Sequence, residues 1–172
     1  MKIRKAFQGT IPSNKIMDGF SYSKTDTYSC DYVNNALNYD MLRARLSSEP
    51  SMPPSVYTVI PFDDKFEVIN SRASFDLNKG AVTVTGDYVK KVRVYVSAFD
   101  SSWASNSLYL TININGNIVK RTYMRTTCNI CLEGEFSVKK GDVITTTFYT
   151  SSSSALKLST DSAYCQLIVS AG

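Results

Sequence analysis

The chain has 172 residues, of which 43% are hydrophobic, enough for the core of one domain with a smaller appendage. It contains no histidine, which removes the usual general base, the histidine-activated nucleophiles and the commonest metal ligand. The net charge of +4 is spread over isolated pairs such as Lys90-Lys91, which disfavours nucleic-acid binding, and no apolar run approaches the roughly 20 residues of a membrane helix.

The first residues, 1–24, are polar and irregular. Their charged start, Met1-Lys2-Ile3-Arg4-Lys5, is followed by no apolar region, so no signal peptide is predicted. Such a segment buries too little apolar surface to order itself, and we expect it to be ordered only when docked on a partner.

A helix is predicted next, over about residues 30–46. Thr27 or Ser29 can cap its start, and arginines near its end suit the helix dipole. One face of this helix would carry the apolar stripe Val33, Leu37 and Met41. The helix either packs on its own domain, or bundles with sister chains or seats on a larger assembly, and residues 1–46 form a predicted anchor segment.

A linker is predicted over residues 47–56. It contains three prolines and several serines, a composition typical of a stiff extended spacer. The linker therefore predicts a domain boundary, with a head domain over residues 57–172.

The head is predicted to be mainly β. Apolar residues alternate with Thr, Ser, Arg and Lys, the period of an antiparallel sheet with one face on a core. The predicted strands are residues 81–85, 92–99, 108–114, 118–125, 136–138, 143–149 and 164–169. We therefore predict an antiparallel jelly-roll β-sandwich preceded by a short N-terminal helix and linker.

The connections between these strands are unequal. Asn115-Gly116 and residues 139–142 are tight turns, and they alternate with three longer connections, at 100–107, 126–129 and 150–162. In a jelly roll, alternate connections share an end, so the long loops should form a tip far from the N-terminal segment. The residues proposed for binding at this tip are Trp103, Asn106, Asn129 and Ser152.

Trp103 is the only tryptophan and lies among small polar residues. It can stack on a sugar ring or a partner surface. It can equally fold back over the open end of the core or be buried against a neighbouring subunit. The eleven tyrosines suit contacts between subunits, because each has an apolar body and a polar tip.

Four cysteines and several carboxylates are the candidate groups for a chemical site. Cys128 and Cys131 have C-x-x-C spacing without a second such pair, so they, Cys30 and Cys165 are predicted to be reduced, buried or half-buried thiols. Asp63-Asp64 is predicted to be a solvated turn. No catalytic residue, metal site or cofactor is predicted.

The head resembles the trimeric jelly rolls of the tumour necrosis factor and complement globular-head superfamily over about residues 66–170. The residues that carry the resemblance are Phe75, Gly80, Gly86-Asp87-Tyr88, Leu108-Tyr109-Leu110, Asn115-Gly116, Leu132, Phe136, Lys140-Gly141-Asp142 and Cys165-Gln166-Leu167-Ile168. The resemblance implies a homotrimeric head.

The run over residues 25–35 is similar to segments of bacteriophage fibre and appendage proteins. Together, the two resemblances imply a virion protein assembled in the bacterial host cytoplasm, with its N-terminus on a capsid or tail protein. Its head would decorate the particle or meet a glycan or protein of the host surface. The residues implied in anchoring are Tyr28, Tyr32, Val33 and Leu37.

Two alternatives stay open. A secreted signalling ligand of the same fold would require export and oxidised cysteines. A glycan-degrading fibre enzyme would require carboxylates that converge in a cleft. The loose candidates for such carboxylates are Glu133, Glu135, Asp142 and Asp161.

Overall fold

The computed structural model describes residues 40–69, 74–101 and 106–171, and all regular secondary structure in this part is β-strand. The chain divides into two compact units, Met1–Asn38 and Tyr39–Gly172, of which the first lies outside the described residues. The described part contains no helix that is long and apolar enough to cross a membrane. The strands are β1 (Met41–Arg45), β2 (Ser51–Met52), β3 (Thr58–Val59), β4 (Asp64–Ile69), β5 (Phe75–Asn78), β6 (Ala81–Val84), β7 (Lys91–Phe99), β8 (Asn106–Ile114), β9 (Asn117–Thr127), β10 (Asn129–Ser137), β11 (Val143–Thr150), β12 (Leu156–Lys157) and β13 (Gln166–Ala171).

These strands form two large antiparallel sheets. Sheet I has the order β10-β7-β13-β1-β4, and sheet II has the order β5-β6-β11-β8-β9, with β3 also paired to β11. The short strands β2 and β12 pair with each other. The predicted mainly-β jelly-roll sandwich is thus confirmed. The predicted strands that correspond to observed ones are β6, β7, β8, β9, β11 and β13, and the predicted strand 136–138 overlaps the end of β10.

The core lies between the two sheets and follows the predicted period of two. Along β11, Ile144 and Phe148 are fully buried. The residues between and after them, Thr145, Thr147 and Tyr149, are only half-buried, because they lie on the opposite face of sheet II. Each sheet therefore has one face in the core and one outer face.

The end of the predicted helix is instead the first strand. β1 pairs with both β13 and β4, and its side chains alternate: Leu42 and Ala44 are buried while Arg45 is exposed. The helical prediction was wrong over residues 41–45, because a stripe spaced by four residues also fits a period of two. Pairing on both sides gives this strand hydrogen bonds that no local pattern reveals. Residues 30–39 of the predicted helix lie outside the described residues.

The predicted linker is not a free spacer. Within it, β2 pairs with β12, Met52 is 1% exposed, and Pro50 O accepts a hydrogen bond from Leu158 N at 3.3 Å. Prolines cannot donate to a ladder, but Met52 lies between them and keeps both its N–H and its apolar side chain. The sandwich therefore begins at β1, upstream of the predicted boundary.

The chain directions place the connections as the sequence predicts, with one correction. Tight turns lie at one end and the connections after β7 and β11 lie at the other, and the antiparallel pairing of β1 with β13 puts Met41 at the tight-turn end. The connection predicted at 126–129 is not long, because Cys128 alone separates β9 from β10. Ile130 and Leu132 are buried, so β10 extends well before its predicted start.

Asp142 joins two turns at the tight-turn end. Asn115 and Gly116 both have positive φ, as a two-residue hairpin turn requires. Asn115 Nδ2 donates to Asp142 Oδ1 and Lys139 N donates to Asp142 Oδ2, each at 2.9 Å. These hydrogen bonds, the Asn115 amide foremost, hold the pKa of Asp142 below its ordinary value.

Replacing Asp142 should therefore destabilise the fold in a pH-dependent way. Asp142→Ala should lower the free energy of unfolding at pH 7 by about 1–3 kcal/mol, because two hydrogen bonds to a carboxylate are lost. The folded-state pKa lies below the ordinary value of 3.8, so this contribution is complete above that pH and is lost as the pH falls through the lowered pKa. In urea unfolding, the difference in free energy of unfolding between wild type and variant should be smaller at pH 3 than at pH 7.

The matched control is Asp87→Ala, at the same end. Asp87 is exposed and forms an ion pair with Lys140 at 2.7 Å, a contact that contributes little in water. The role given to Asp142 would be contradicted if Asp142→Ala lowered the free energy of unfolding no more than Asp87→Ala does. It would also be contradicted if the decrease were the same at both pH values.

Candidate functional site

The outer face of sheet I combines apolar and charged side chains. Tyr95 lies opposite Ile168 on β13 and opposite Glu133 on β10, and both Tyr95 and Ile168 are half-buried. A depression of about 290 Å³ on this face is lined by Met41, Arg93, Tyr95, Glu133, Ile168 and Ser170. We call these six residues the sheet I patch.

Charged side chains on this face contact neighbours within the face. Arg93 and Glu133 form an ion pair, and Arg43 Nη2 donates to Gln166 Oε1 at 3.1 Å. The Arg43 guanidinium also lies 4.8 Å from the centre of the Phe66 ring. An apolar centre surrounded by polar and charged side chains is the arrangement found in many protein–protein contacts.

The described cysteines are three free thiols. Cys131 is exposed on the outer face of sheet I, Cys128 is half-buried, and Cys165 is buried. Burial raises the pKa of the Cys165 thiol to about 12, which makes it unreactive. Cys30 lies outside the described residues.

The outer face of sheet II carries a row of four tyrosines. Tyr109 lies between Tyr123 on β9 and Tyr149 on β11, with ring centres 4.4 and 5.3 Å apart, and Tyr57 lies 4.9 Å from Tyr149. These spacings match the distance between neighbouring strands. We call Tyr57, Tyr109, Tyr123 and Tyr149 the tyrosine row.

Arg125 fixes one end of the tyrosine row. Its Nε donates to the Tyr123 hydroxyl oxygen at 2.6 Å, and Tyr123 also hydrogen-bonds to Ser107 at 3.4 Å. Both contacts, Ser107 first, lower the pKa of Tyr123 below its ordinary value. The hydroxyls of Tyr57, Tyr109 and Tyr149 have no hydrogen-bond partner in the described part of the chain.

A second row of small polar side chains follows the tyrosines toward the tight-turn end. Thr111 lies between Arg121 and Thr147 in register, and its Oγ1 is 2.6 Å from that of Thr147. A groove of about 320 Å³ covers part of this row, and it is lined by Tyr57, Val59, Asn113, Gly116, Ile118, Thr145 and Thr147. A groove of this size can hold a small ligand or one segment of a chain molecule.

The three predicted tip residues in the described ranges, Asn106, Asn129 and Ser152, lie at the same end of the sandwich. Asn129 is exposed at the start of β10 in sheet I, whereas the half-buried Ser152 follows β11 in sheet II. Ser152 Oγ accepts a hydrogen bond from Ser154 N at 3.1 Å, which is a local turn contact. Asn106 begins β8 and is paired with Thr127. Trp103 lies outside the described residues, so binding at this tip stays a prediction.

The predicted anchoring residues also stay a prediction. All four precede residue 40 and lie outside the described residues: Tyr28, Tyr32, Val33 and Leu37.

The carboxylates that an enzyme would need do not converge. Glu133 and Glu135 lie on the outer face of sheet I, Asp142 lies at the tight-turn end, and Asp161 caps a turn at the opposite end through Ala163 N. Asp63 instead accepts two hydrogen bonds from Ser47, and these lower its pKa. In the described ranges, no three His, Cys, Asp or Glu side chains are grouped to hold a metal ion.

Both surface features were missed at the level of sequence. The tyrosine row joins residues that are far apart in the chain, and only the strand register brings them together. The abundance of tyrosine was the one available indication. The sheet I patch depends in addition on β1, whose strand character the sequence did not reveal.

No protein-family model matches the sequence, and no curated protein matches it either. Solved structures do match the fold. Murine APRIL superposes with a TM-score of 0.61 at 13% identity, covering 78% of this chain and 99% of that one. The PRD1 vertex protein P5 has a TM-score of 0.59 at 12% identity, covering 77% and 95%. Eiger TNF from S. frugiperda has a TM-score of 0.52 at 10% identity, covering 78% and 91%.

These comparisons concern the fold of the head. The chain has a jelly roll of the tumour necrosis factor type, and a phage vertex protein shares this fold. The suspected fold resemblance is confirmed.

Proposed function

We propose that the chain is a non-enzymatic structural protein of a phage particle, a head or tail fibre protein attached by its N-terminal segment. Its jelly-roll heads associate as a homotrimer. The trimer decorates the particle or displays a surface to the host cell. The protein is assembled in the cytoplasm of the bacterial host.

The observation that carries this proposal is the shared fold with a vertex protein, P5 of PRD1. The phage-like run at residues 25–35 supports the same role. The similar solved structures are named as a vertex protein and as tumour necrosis factor-type proteins, which fits a role without catalysis. A trimer also suits attachment, because three weak contacts held together gain avidity without new chemistry.

The sheet I patch is the proposed contact between heads. Tyr95 and Ile168 are half-buried in one chain, and covering them would remove further apolar surface from water. The Arg93–Glu133 ion pair beside them can persist in the contact, which offsets part of the cost of removing both charges from water. Sheet I is therefore the inner sheet of the assembly, and sheet II faces outward.

A secreted signalling ligand is the second candidate, and the likeness to APRIL favours it. The two candidates differ in where the protein is found. A virion protein accompanies purified particles, whereas a secreted ligand accumulates in the medium and binds a receptor on cells.

A charge placed in the sheet I patch should dissociate the trimer. Ile168→Glu puts a carboxylate where the proposed contact excludes water, and burying this charge is costly even beside Arg43, the register partner of Ile168 on β1. Light scattering should give three times 19.1 kDa for the wild type and 19.1 kDa for the variant.

The control is Val56→Glu, which makes the same change at a side chain that is 52% exposed in a turn between β2 and β3. This variant should keep the wild-type mass. A wild-type chain that is monomeric at high concentration, or an Ile168→Glu variant that stays trimeric, would contradict the proposed contact.

Imaging of purified particles tests whether the protein is part of the virion. Antibody against the purified chain, coupled to gold, should label vertices, fibres or tails of purified particles from infected cells. Label in the lysate with none on intact particles would exclude the virion role.

A further inference from the structure

The tyrosine row leaves aromatic surface exposed to solvent. Tyr57 and Tyr123 are 41% and 40% exposed, and they stand at the two ends of a continuous set of ring contacts. The C–H face of a sugar ring is apolar and packs on such aromatic surface, while the polar hydroxyls of the sugar lie at the edge of its ring. A row across three adjacent strands and the residue that precedes β3 is a platform for several consecutive units of a chain rather than for one small molecule.

Hydrogen-bonding groups lie along the platform in the places that sugar hydroxyls need. Three of the four tyrosine hydroxyls, on Tyr57, Tyr109 and Tyr149, have no partner in the described part of the chain. The groove beside them adds the hydroxyl of Thr145. The Thr147 hydroxyl is bonded to that of Thr111, and the buried Asn113 amide bonds to Thr111 and to the Thr145 carbonyl. Hydroxyls can both donate and accept, so this lining matches the hydroxyls of a glycan.

The charge of the platform has one sign. None of the side chains of the tyrosine row or the groove is acidic, and β9 contributes Arg121 and Arg125. Arg121 forms no ion pair with any described residue, and Arg125 is engaged only with Tyr123. The exposed acid of sheet II, Asp76, lies two strands beyond β11 and contacts Lys65. Charge complementarity therefore favours a ligand with carboxylate or phosphate groups.

We infer that the outer face of sheet II binds an acidic glycan chain, whose sugar rings stack on the tyrosine row and whose acidic groups pair with Arg121. The inference rests on the proposed function, since it assigns the host-facing surface of the head to sheet II and names the class of ligand. It differs from the predicted tip, because the site lies on the sheet face and not in the long loops.

The test is calorimetric titration of the full chain with three acidic polysaccharides, polygalacturonate, alginate and hyaluronan, and with neutral dextran. Binding to at least one acidic polymer and not to dextran is expected. That binding should weaken when the salt concentration rises from 0.1 to 0.5 M, because ions screen the arginine contact.

Variants locate the site. Tyr57→Ala should weaken binding about tenfold or more, since the stacking surface is lost, whereas Tyr57→Phe should keep most of it. Arg121→Gln should weaken binding to the acidic polymer and reduce the effect of salt. Tyr164→Ala, which removes a tyrosine that is 51% exposed outside the row, and Lys157→Gln are the matched controls and should bind as the wild type does.

Each other outcome overturns the inference. The inference would be overturned if the chain bound none of the acidic polymers, or if it bound dextran equally well. It would also be overturned if the variants and their controls lost the same binding affinity. A change of assembled mass in Tyr57→Ala would show that a second copy of the chain covers the row instead. A head that forms trimers but binds no glycan would refute this site and leave the proposed trimer standing, whereas a monomer that binds the glycan would refute the trimer and leave this site standing.

Discussion

The antiparallel pairing of β1 with β13 is the contact on which the rest of the head depends. It joins the first described strand to the last, from Met41 opposite Ser170 to Ala44 opposite Leu167, and completes the middle of sheet I. Burying Leu42 within it contributes roughly 1.5–3 kcal/mol, and the pairing also closes the chain over the core. The same pairing sets the polarity of the head, because it places Met41, at the start of β1, at the tight-turn end.

With that polarity fixed, the two outer faces have different chemistry. Sheet I presents half-buried apolar residues among charges that already pair, which suits contact with another folded head. Sheet II presents tyrosines, three of whose hydroxyls have no partner among the described residues, and arginines that pair with no acid in the same ranges, which suits a hydroxylated, acidic ligand. A head that associates through sheet I keeps sheet II outward, so assembly and display use separate surfaces of one sandwich.

Sequence reasoning recovered what local pattern determines and failed where pairing is long-range. The alternation in β7, β8 and β11 and the Asn115-Gly116 turn are local, so both were predicted correctly. β1 was predicted as helix because five residues are too few to separate the two periods, and its partners lie 20 to 130 residues away, roughly, in the chain. The tyrosine row depends on register across three strands, which composition alone does not contain.

The central claim is that sheet I is covered in the assembled protein. Cys131 is exposed on the outer face of sheet I in a single chain, whereas Cys165 is buried and has a pKa of about 12, so alkylation followed by peptide mass spectrometry can compare them. The account predicts that Cys131 reacts much more slowly in the wild-type assembly than in the dissociated Ile168→Glu variant, while Cys165 stays unreactive in both. Equal rates for Cys131 in an assembled wild type and a dissociated variant would contradict it.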